Sequence, residues 1–424
     1  MARTTTSADR LLALFRDNAR RVHARGLSHM KIEDHTVQPG LMTLGGHRVH
    51  NFGDCSYLGL GTDARLATAA KNAIDRYGTS FSSSIAYAAV PLYTDLKERF
   101  ERLMGASVAL APTTTLAHAA ALPVLIRPTD IVLMDSAVHN SVQMATQLLR
   151  ANGVDVRTVP HGDTMALDSM IEEASDNGDS AVWCLADGVY SMSGEPAPFS
   201  HLTALLERFE RLWLYVDDAH GFSWKGRHGS GLALAEMGWH ERLVIAAGLS
   251  KSFAAGGGIV ANPDPDLTEL IEVCGPPLTF GGPIAPAALG AGIASADIHL
   301  SSEIDERQQL LAARIRAVTT TARRLGLPLV SEDPTPIFFV EVGRTDLMIE
   351  IGAAMAADGF YLNPAAWPAV PHRKAGLRFT VTISLELEVV EMMLERLHHH
   401  LKMAGVLDRT VIDLRGGEPA IHLP

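Results

Sequence analysis

Between Ser107 and Asn262 short apolar runs rich in Val, Ile and Leu alternate with stretches of helical length and pattern: "SVALA", "DIVLMD", "DVRTVP", "AVWCLAD", "LWLYVDD", "LVIAAGL" and "GGIVAN". A run with no polar interruption fits a strand buried on both faces, and alternation with helices fits crossover connections. The pattern therefore predicts an α/β domain with a mostly parallel sheet. In such sheets ligands bind beyond the carboxyl ends of the strands. Here the run ends are polar in concert: Asp135 to His139, Asp187 to Ser191, Asp217 to His220, and Ser250 with Lys251.

The flanks read differently. Leu11, Leu12 and Phe15 recur at helical spacing near the start, so the basic stretch "RRVHAR" lies on an amphipathic helix expected to dock on the protein body or a partner subunit. After "CGPPLTFGGPIAP", whose glycines and prolines break regular structure, a helical stretch runs from about Ala287 to Arg324. Beyond it "TPIFFVEVG" and "GLRFTVTISLE" read as strands and "LEVVEMMLERLHHHLKMAG" as an amphipathic helix. Together these make a smaller α+β domain, and the aperiodic tail "DLRGGEPAIHLP" reads as an arm. The expected division is residues 1–60 as N-terminal helix and lead-in, 61–290 as the large α/β domain, and 291–424 as the small C-terminal domain with its tail.

Bulk properties narrow the class. With 47% hydrophobic and 20% charged residues in 424, the chain has material for a substantial core and is not a disordered polymer. The formal charge of −12, with no concentrated basic cluster, argues against a nucleic-acid partner. Cys55, Cys184 and Cys274 are far apart in sequence, so neither a disulfide framework nor a metal site is expected. The chain shows no internal repeat, no apolar stretch of bilayer length and no secretory-type start in "MARTTTSADR"; a cytoplasmic protein without a membrane span is the expectation.

The candidate chemistry sits at the run ends. Lys251 in "AAGLSKSFAAGGG" leaves a buried strand end, where desolvation favours a neutral, nucleophilic amine. The glycines Gly256 to Gly258 allow close backbone approach, by another chain segment or by a ligand. Asp217 closes an apolar run and invites a cationic partner such as a pyridinium nitrogen, with His220 in reach of the same ring. The plainer alternative is that Asp218 caps a helix and His220 is merely exposed. His139 follows "DIVLMD", with Ser136 a possible cap for the next helix; its imidazole either stacks on an aromatic ligand or is an ordinary loop residue. Thr113, Thr114 and Thr115 open a helix, whose free N–H groups and dipole suit a phosphate or simple capping.

Taken in order, these features resemble the α-oxoamine synthases, a family of fold-type I pyridoxal-phosphate enzymes. "NFGDCSYLGL" matches their N-F-x-x-x-x-Y-L-G-L, and "DGVYSMSGEPAPF" their E-x-V-F-S-M-D-G-D-x-A-P-L. "VDDAHGFSWKGRHGSG" matches D-E-A-H-x-x-G-x-x-G-x-x-G-x-G, and "GLSKSFAAGGG" matches T-L-S-K-A-F-G-x-x-G-G. The resemblance spans roughly residues 10 to 400 and implies pyridoxal 5'-phosphate as cofactor. It implies that Lys251 holds the cofactor aldehyde as a Schiff base, Asp217 pairs with the ring nitrogen, His220 with the phenolic oxygen, and His139 stacks on the ring. Thr113 to Thr115 and Ser250 then belong to the cofactor site, and Asp187 and Ser191 to its rim. Arg378 in "GLRFTV" matches the arginine that pairs with the amino-acid carboxylate, and Ser56 is assigned with it to substrate binding. The implied reaction joins an amino acid to an acyl thioester of coenzyme A or a carrier protein, usually with decarboxylation, giving an α-amino ketone. The implied assembly is a homodimer with a shared active site.

The chain departs from that pattern where Gly248 replaces a threonine or serine three residues before the lysine, and Gly282 replaces a hydroxyl residue. Ile85 stands for an arginine and Tyr93 for a histidine near the expected substrate mouth. Two alternatives therefore accompany the condensation: an aminotransferase, decarboxylase or lyase using the same cofactor without a thioester, and a retired subunit. The intact Lys251, Asp217 and His220 weigh against the last.

Overall fold

The computed structural model describes residues 7–175, 178 and 180–407, so the predicted C-terminal arm and the first six residues lie outside the described part. The described residues divide into two compact units, one within 58–191 and 195–309, the other within 7–57, 192–194 and 310–407.

The first unit is built on a seven-stranded sheet. Its strands are β1 (Ser107–Ala111), β2 (Ile131–Asp135), β3 (Asp155–Val159), β4 (Val182–Asp187), β5 (Leu212–Asp217), β6 (Leu243–Gly248) and β7 (Gly258–Asn262). Each of the seven apolar runs supplies one strand. Their order across the sheet is β1-β7-β6-β5-β4-β2-β3. All run parallel except β7, which pairs antiparallel with both β1 and β6. The sheet is thus the mostly parallel one expected. Strands β4, β6 and β7 are buried along their whole length, whereas the edge strand β3 carries Asp155 and Arg157, charges that discourage further strand pairing. On one face the helix Thr114–Leu125 packs Ala117, Ala120, Ala121 and Leu122 against Met134, Leu185, Tyr215 and Ala246. Small side chains let that helix lie close, so its first turn reaches the carboxyl edge of the sheet.

The expected helix from about Ala287 to Arg324 is broken. Helices Pro286–His299 and Glu303–Leu325 flank a turn in which the Ser301 hydroxyl donates to the Ile298 carbonyl and accepts from the Glu303 N–H, a local bond set that competes with continued helix.

The second unit holds the amphipathic helix Ser7–Ala24 and two three-stranded sheets. In one of them Ala375–Thr380 pairs antiparallel with Ile337–Gly343 on one side and with Asn363–Ala365 on the other. The C-terminal helix Leu387–Met403 buries Val390, Met393, Leu394, Leu397 and Leu401, the spacing expected of its amphipathic pattern. Among the described residues no helix is long and apolar enough to cross a membrane.

Candidate active site

The polar run ends converge because β2, β4, β5 and β6 finish on one edge, and β7, running the other way, begins there. Asp187 and Asp217 are register partners at the ends of β4 and β5. Both are almost fully buried, yet their charge states diverge. Burial raises the Asp187 carboxyl well above the usual carboxylate range, and the neighbouring Asp217 raises it further. At Asp217 burial also acts upward, but the His118 ring, the Lys251 ammonium and the Ala219 N–H outweigh it and hold the carboxyl at about 2. Asp187 accepts the His139 N–H at 3.0 and 3.1 Å, so the end of β4 carries the turn that presents His139.

His139, rather than Ser136, caps the helix Asn140–Ala151: its Nδ1 accepts from the Ser141 N–H and meets the Ser141 hydroxyl at 2.7 Å. Ser136 instead accepts the His161 N–H at 3.0 Å. Desolvation lowers the His139 imidazole from its ordinary value, opposed by Asp217 and reinforced by Lys251. Lys251 thus lies close enough to influence Asp187, Asp217 and His139 together.

The lysine sits in the β6–β7 connection. Leu249 N–H donates to Gly257 at 3.1 Å, Ala255 N–H to Leu249 at 2.8 Å, and Ala254 N–H to Lys251 at 3.0 Å. Behind it the Ser295 hydroxyl donates to the Phe253 carbonyl at 2.7 Å, and the Phe253 ring lies 5.1 Å from Phe100 and 4.7 Å from His299. Ser250 is exposed beside it.

Gly258 answers the question of close approach. A Cβ there would lie 2.7 Å from the Thr114 nitrogen, so the glycine lets β7 start against the first turn of the helix Thr114–Leu125. A Cβ on Gly248 would meet the Thr114 hydroxyl at 2.6 Å. The side-chain space that Gly248 leaves open is therefore filled by a hydroxyl from the helix start. Thr113 caps that helix by accepting the Leu116 N–H at 3.1 Å, while the Thr114 and Thr115 amides, in its first turn, have no intrahelical partner.

The aspartates of "VDDAH" part ways. Asp218 is a helix cap after all, though of a distant helix: it accepts the Ala233 N–H at 3.0 Å, at the start of Leu232–Met237. Burial pushes its carboxyl up to about 8. Gly188, Gly221 and Gly231 crowd around it, each with a Cβ position within 2.2 Å of its oxygens. His220 is buried, not exposed, and its carbonyl accepts the Trp224 indole N–H at 2.6 Å.

Arg378 and Ser56 lie in the other unit. Arg378 is buried on the strand Ala375–Thr380, opposite Phe339 and Asn363, with a guanidinium nitrogen 3.8 Å from the Cys55 sulfur. Thr380 and Ile383 N–H groups donate to the Phe52 and Tyr57 carbonyls, which straps residues 52–57, Ser56 included, along that strand. Ser191 is partly buried in the loop after β4.

Two groups of residues escaped the sequence reading. His118, on the second turn of the helix that Thr113 caps, is fully buried between Tyr215 and Asp217. At the ends of β2 and β3, His161 lies 3.0 Å from Asp135 and 3.5 Å from Glu195, and the Tyr190 hydroxyl donates to Asp135 at 2.9 Å. Burial would lower His161, but the two carboxylates raise it to about 10. This ion pair fastens the loop that carries Ser191.

A helix start with unpartnered amides and a hydroxyl, a buried carboxylate kept ionised, and an amine near that carboxylate match in turn a phosphate, a ring cation and an aldehyde. The donor set fits pyridoxal 5'-phosphate, and the fold is that of the transferases solved with that cofactor. Residues 48–397 match the model of the family "aminotransferase class I and II", and the chain belongs to that family. Its curated relatives include 8-amino-7-oxononanoate synthases: that of Herminiimonas arsenicoxydans is 31% identical over 83% of this chain and 90% of its own. The Azoarcus sp. enzyme is 32% identical over 84% and 89%. Among solved structures, a serine palmitoyltransferase from S. paucimobilis superposes with a TM-score of 0.85 at 19% identity, covering 95% of this chain and all of that one. The 8-amino-7-oxononanoate synthase of Francisella tularensis gives 0.70 at 20% identity, covering 84% and 98%. These structural likenesses concern the fold.

Proposed function

We propose that this protein is an acyltransferase that joins an amino acid to an acyl thioester, with loss of carbon dioxide, to give an α-amino ketone. The observation that carries the reading is the identity of 31–32% to enzymes whose named product, 8-amino-7-oxononanoate, bears amino and oxo groups on adjacent carbons. The reaction balances without an oxidant: a bond forms between the amino-acid Cα and the acyl carbon, the C–S and Cα–carboxylate bonds break, the thiolate takes up one proton from solvent, and thiol and carbon dioxide leave.

When bound, pyridoxal phosphate supplies an aldehyde for amine capture and a protonated ring that accepts the electrons of a bond broken at Cα. In this reading Lys251 Nζ is the amine that holds the aldehyde and the group that moves the Cα proton. Asp217 keeps its negative charge against the ring nitrogen; the value of about 2 supports that role. Asp187, the reverse case, keeps a proton and holds the His139 turn, leaving His139 to cover the ring. Thr114, Thr115 and the helix start take the phosphate, with Thr113 as their cap. His220 serves the phenolic oxygen, Ser191 and Ser250 the rim. On the motif match, Arg378 pairs with the substrate carboxylate and Ser56 assists it. The working assembly is a homodimer, and its location the cytoplasm.

The test is to load the purified protein with pyridoxal phosphate, supply each amino acid with acyl-coenzyme A donors of increasing length, and follow free thiol. Thiol release that requires both substrates, with the amino ketone found by mass spectrometry, is the expected result. Amino-acid-dependent change in the visible spectrum with no thiol released from coenzyme A or carrier-protein donors would replace the condensation by an aminotransferase, decarboxylase or lyase.

A further inference from the structure

His118 has no place in the reading above, yet it is the side chain most tightly built into the carboxylate on which that reading depends. It lies at 0% exposure with both ring nitrogens engaged: Nε2 is 3.0 Å from Asp217 Oδ2 and Nδ1 is 2.8 Å from the Tyr215 hydroxyl. Tyr215 and Asp217 alternate along β5 and so point to the same face. An ionised carboxylate only accepts, so Nε2 carries the hydrogen, and Nδ1 on the far side of the ring pairs with the Tyr215 hydroxyl. Tyr215 is itself buried, and burial raises its phenol well above the ordinary value, so it keeps its proton to donate. The second Asp217 oxygen accepts the Ala219 N–H at 3.0 Å.

We propose that His118, oriented by Tyr215, is a positioning residue that keeps Asp217 ionised and aimed for a cationic ring nitrogen. The inference rests on the cofactor reading but concerns a relay of three buried groups that none of the sequence motifs contains. The other charged groups facing Asp217 are Lys251, His139, Asp187 and Asp218. The two aspartates oppose the carboxylate, while Lys251 favours it as His118 does and is the group committed to the aldehyde. Without the Nε2–H, burial and Asp187 would push Asp217 toward its neutral form, which cannot hold a ring proton.

The experiment compares His118→Leu, His118→Gln and Tyr215→Phe with the wild type in the pyridoxal-phosphate-loaded protein. Glutamine lacks the imidazole but retains an N–H able to reach Asp217. We expect His118→Leu to lower kcat about 10- to 100-fold, the effect of one charge-assisted hydrogen bond, with the amino-acid KM little changed. The pH midpoint of the cofactor's visible band should move by about one unit, while His118→Gln restores most of both. In cofactor-free protein, the melting temperature of His118→Leu should fall more steeply from pH 5 to 8 than that of His118→Gln, because a raised Asp217 is a proton that the unfolded chain releases. Leucine and glutamine variants that coincide in band titration and in pH-dependent melting would overturn the proposal. If His118→Leu does not fold, Tyr215→Phe decides: a smaller shift in the same direction supports the relay, and none refutes it. A wild type that forms no visible band with pyridoxal phosphate would sink the cofactor reading instead, and the cofactor-free melting comparison would still judge the relay.

Discussion

The ends of β4 and β5 place the same residue at the same height on adjacent strands, and the two behave as opposites. Asp217 meets a ring N–H, a backbone N–H and a nearby ammonium and is held at about 2. Asp187, equally buried, has the His139 N–H as its main donor and a charged neighbour in Asp217, and it is driven upward. Two like charges side by side in a dry site cannot both persist, and the one with more donors keeps its charge. Position along a strand does not give an aspartate its role; the neighbours do.

Removing the shared cation is the most severe way to disturb this pair. Lys251→Ala should abolish turnover, a loss of at least about 1,000-fold, and leave pyridoxal phosphate removable by dialysis, as absorbance of the dialysed protein would show. Next comes the pair itself. Asp217→Asn should cost roughly 100- to 1,000-fold in kcat because the amide has no charge to offer. Asp187→Asn, whose neutral amide imitates a carboxyl that already holds its proton and still accepts from His139, should cost no more than about tenfold. Equal losses from the two substitutions would break the comparison.

Much of this was legible beforehand. Six strands of the large sheet could be read because their runs are uninterrupted and burial leaves no other use for such a run, whereas the charged edge strand β3 was legible from its place in the alternation with helices. Lys251, Asp217 and the threonine turn stood out because they end apolar runs. His118 did not, although one signal was available: a lone imidazole in "TLAHAAALP", a helix otherwise lacking polar residues after its first turn. Its partner is 99 residues away, and only the strand order brings β5 under that helix. The His161 clasp was hidden for the same reason, being assembled from the ends of three strands. The break at Ser301 was missed through weighting, since a serine two residues before Glu303 is a recognisable helix start that apolar periodicity outvoted.

Smaller effects refine the contrast. Gly248→Thr should weaken cofactor affinity, because its Cβ would meet the Thr114 hydroxyl at 2.6 Å, and Thr114→Gly in the same chain should recover most of the loss. A double-mutant cycle of pyridoxal-phosphate affinity measures that coupling.

Asp218 adds a third aspartate, capping and not catalytic. Its carboxyl near 8 lies above the unfolded value of 3.8, so the unfolded chain releases the proton first and stability falls as pH rises from about 4 to 8. Asp218→Asn should flatten that part of the melting profile and leave turnover near wild type. Gly282→Ser should do least, within about 0.5 kcal/mol of stability by chemical denaturation, since a Cβ there meets nothing within 4 Å.

The reversal of β7 has a kinetic consequence. Because the strand after Lys251 comes straight back along its predecessor, the lysine sits in a short loop pinned at both feet, by Leu249 to Gly257 and by Ala255 to Leu249, and anchored from behind through Phe253. If Lys251 is the amine that holds the aldehyde, a substrate amine that takes its place would not release the lysine to solvent. Its backbone stays fixed, only the side-chain torsions are free, and the amine remains at a high effective molarity beside the atoms it left. Return to the resting state would then be an intramolecular capture whose speed is set by a few side-chain rotations and not by diffusion.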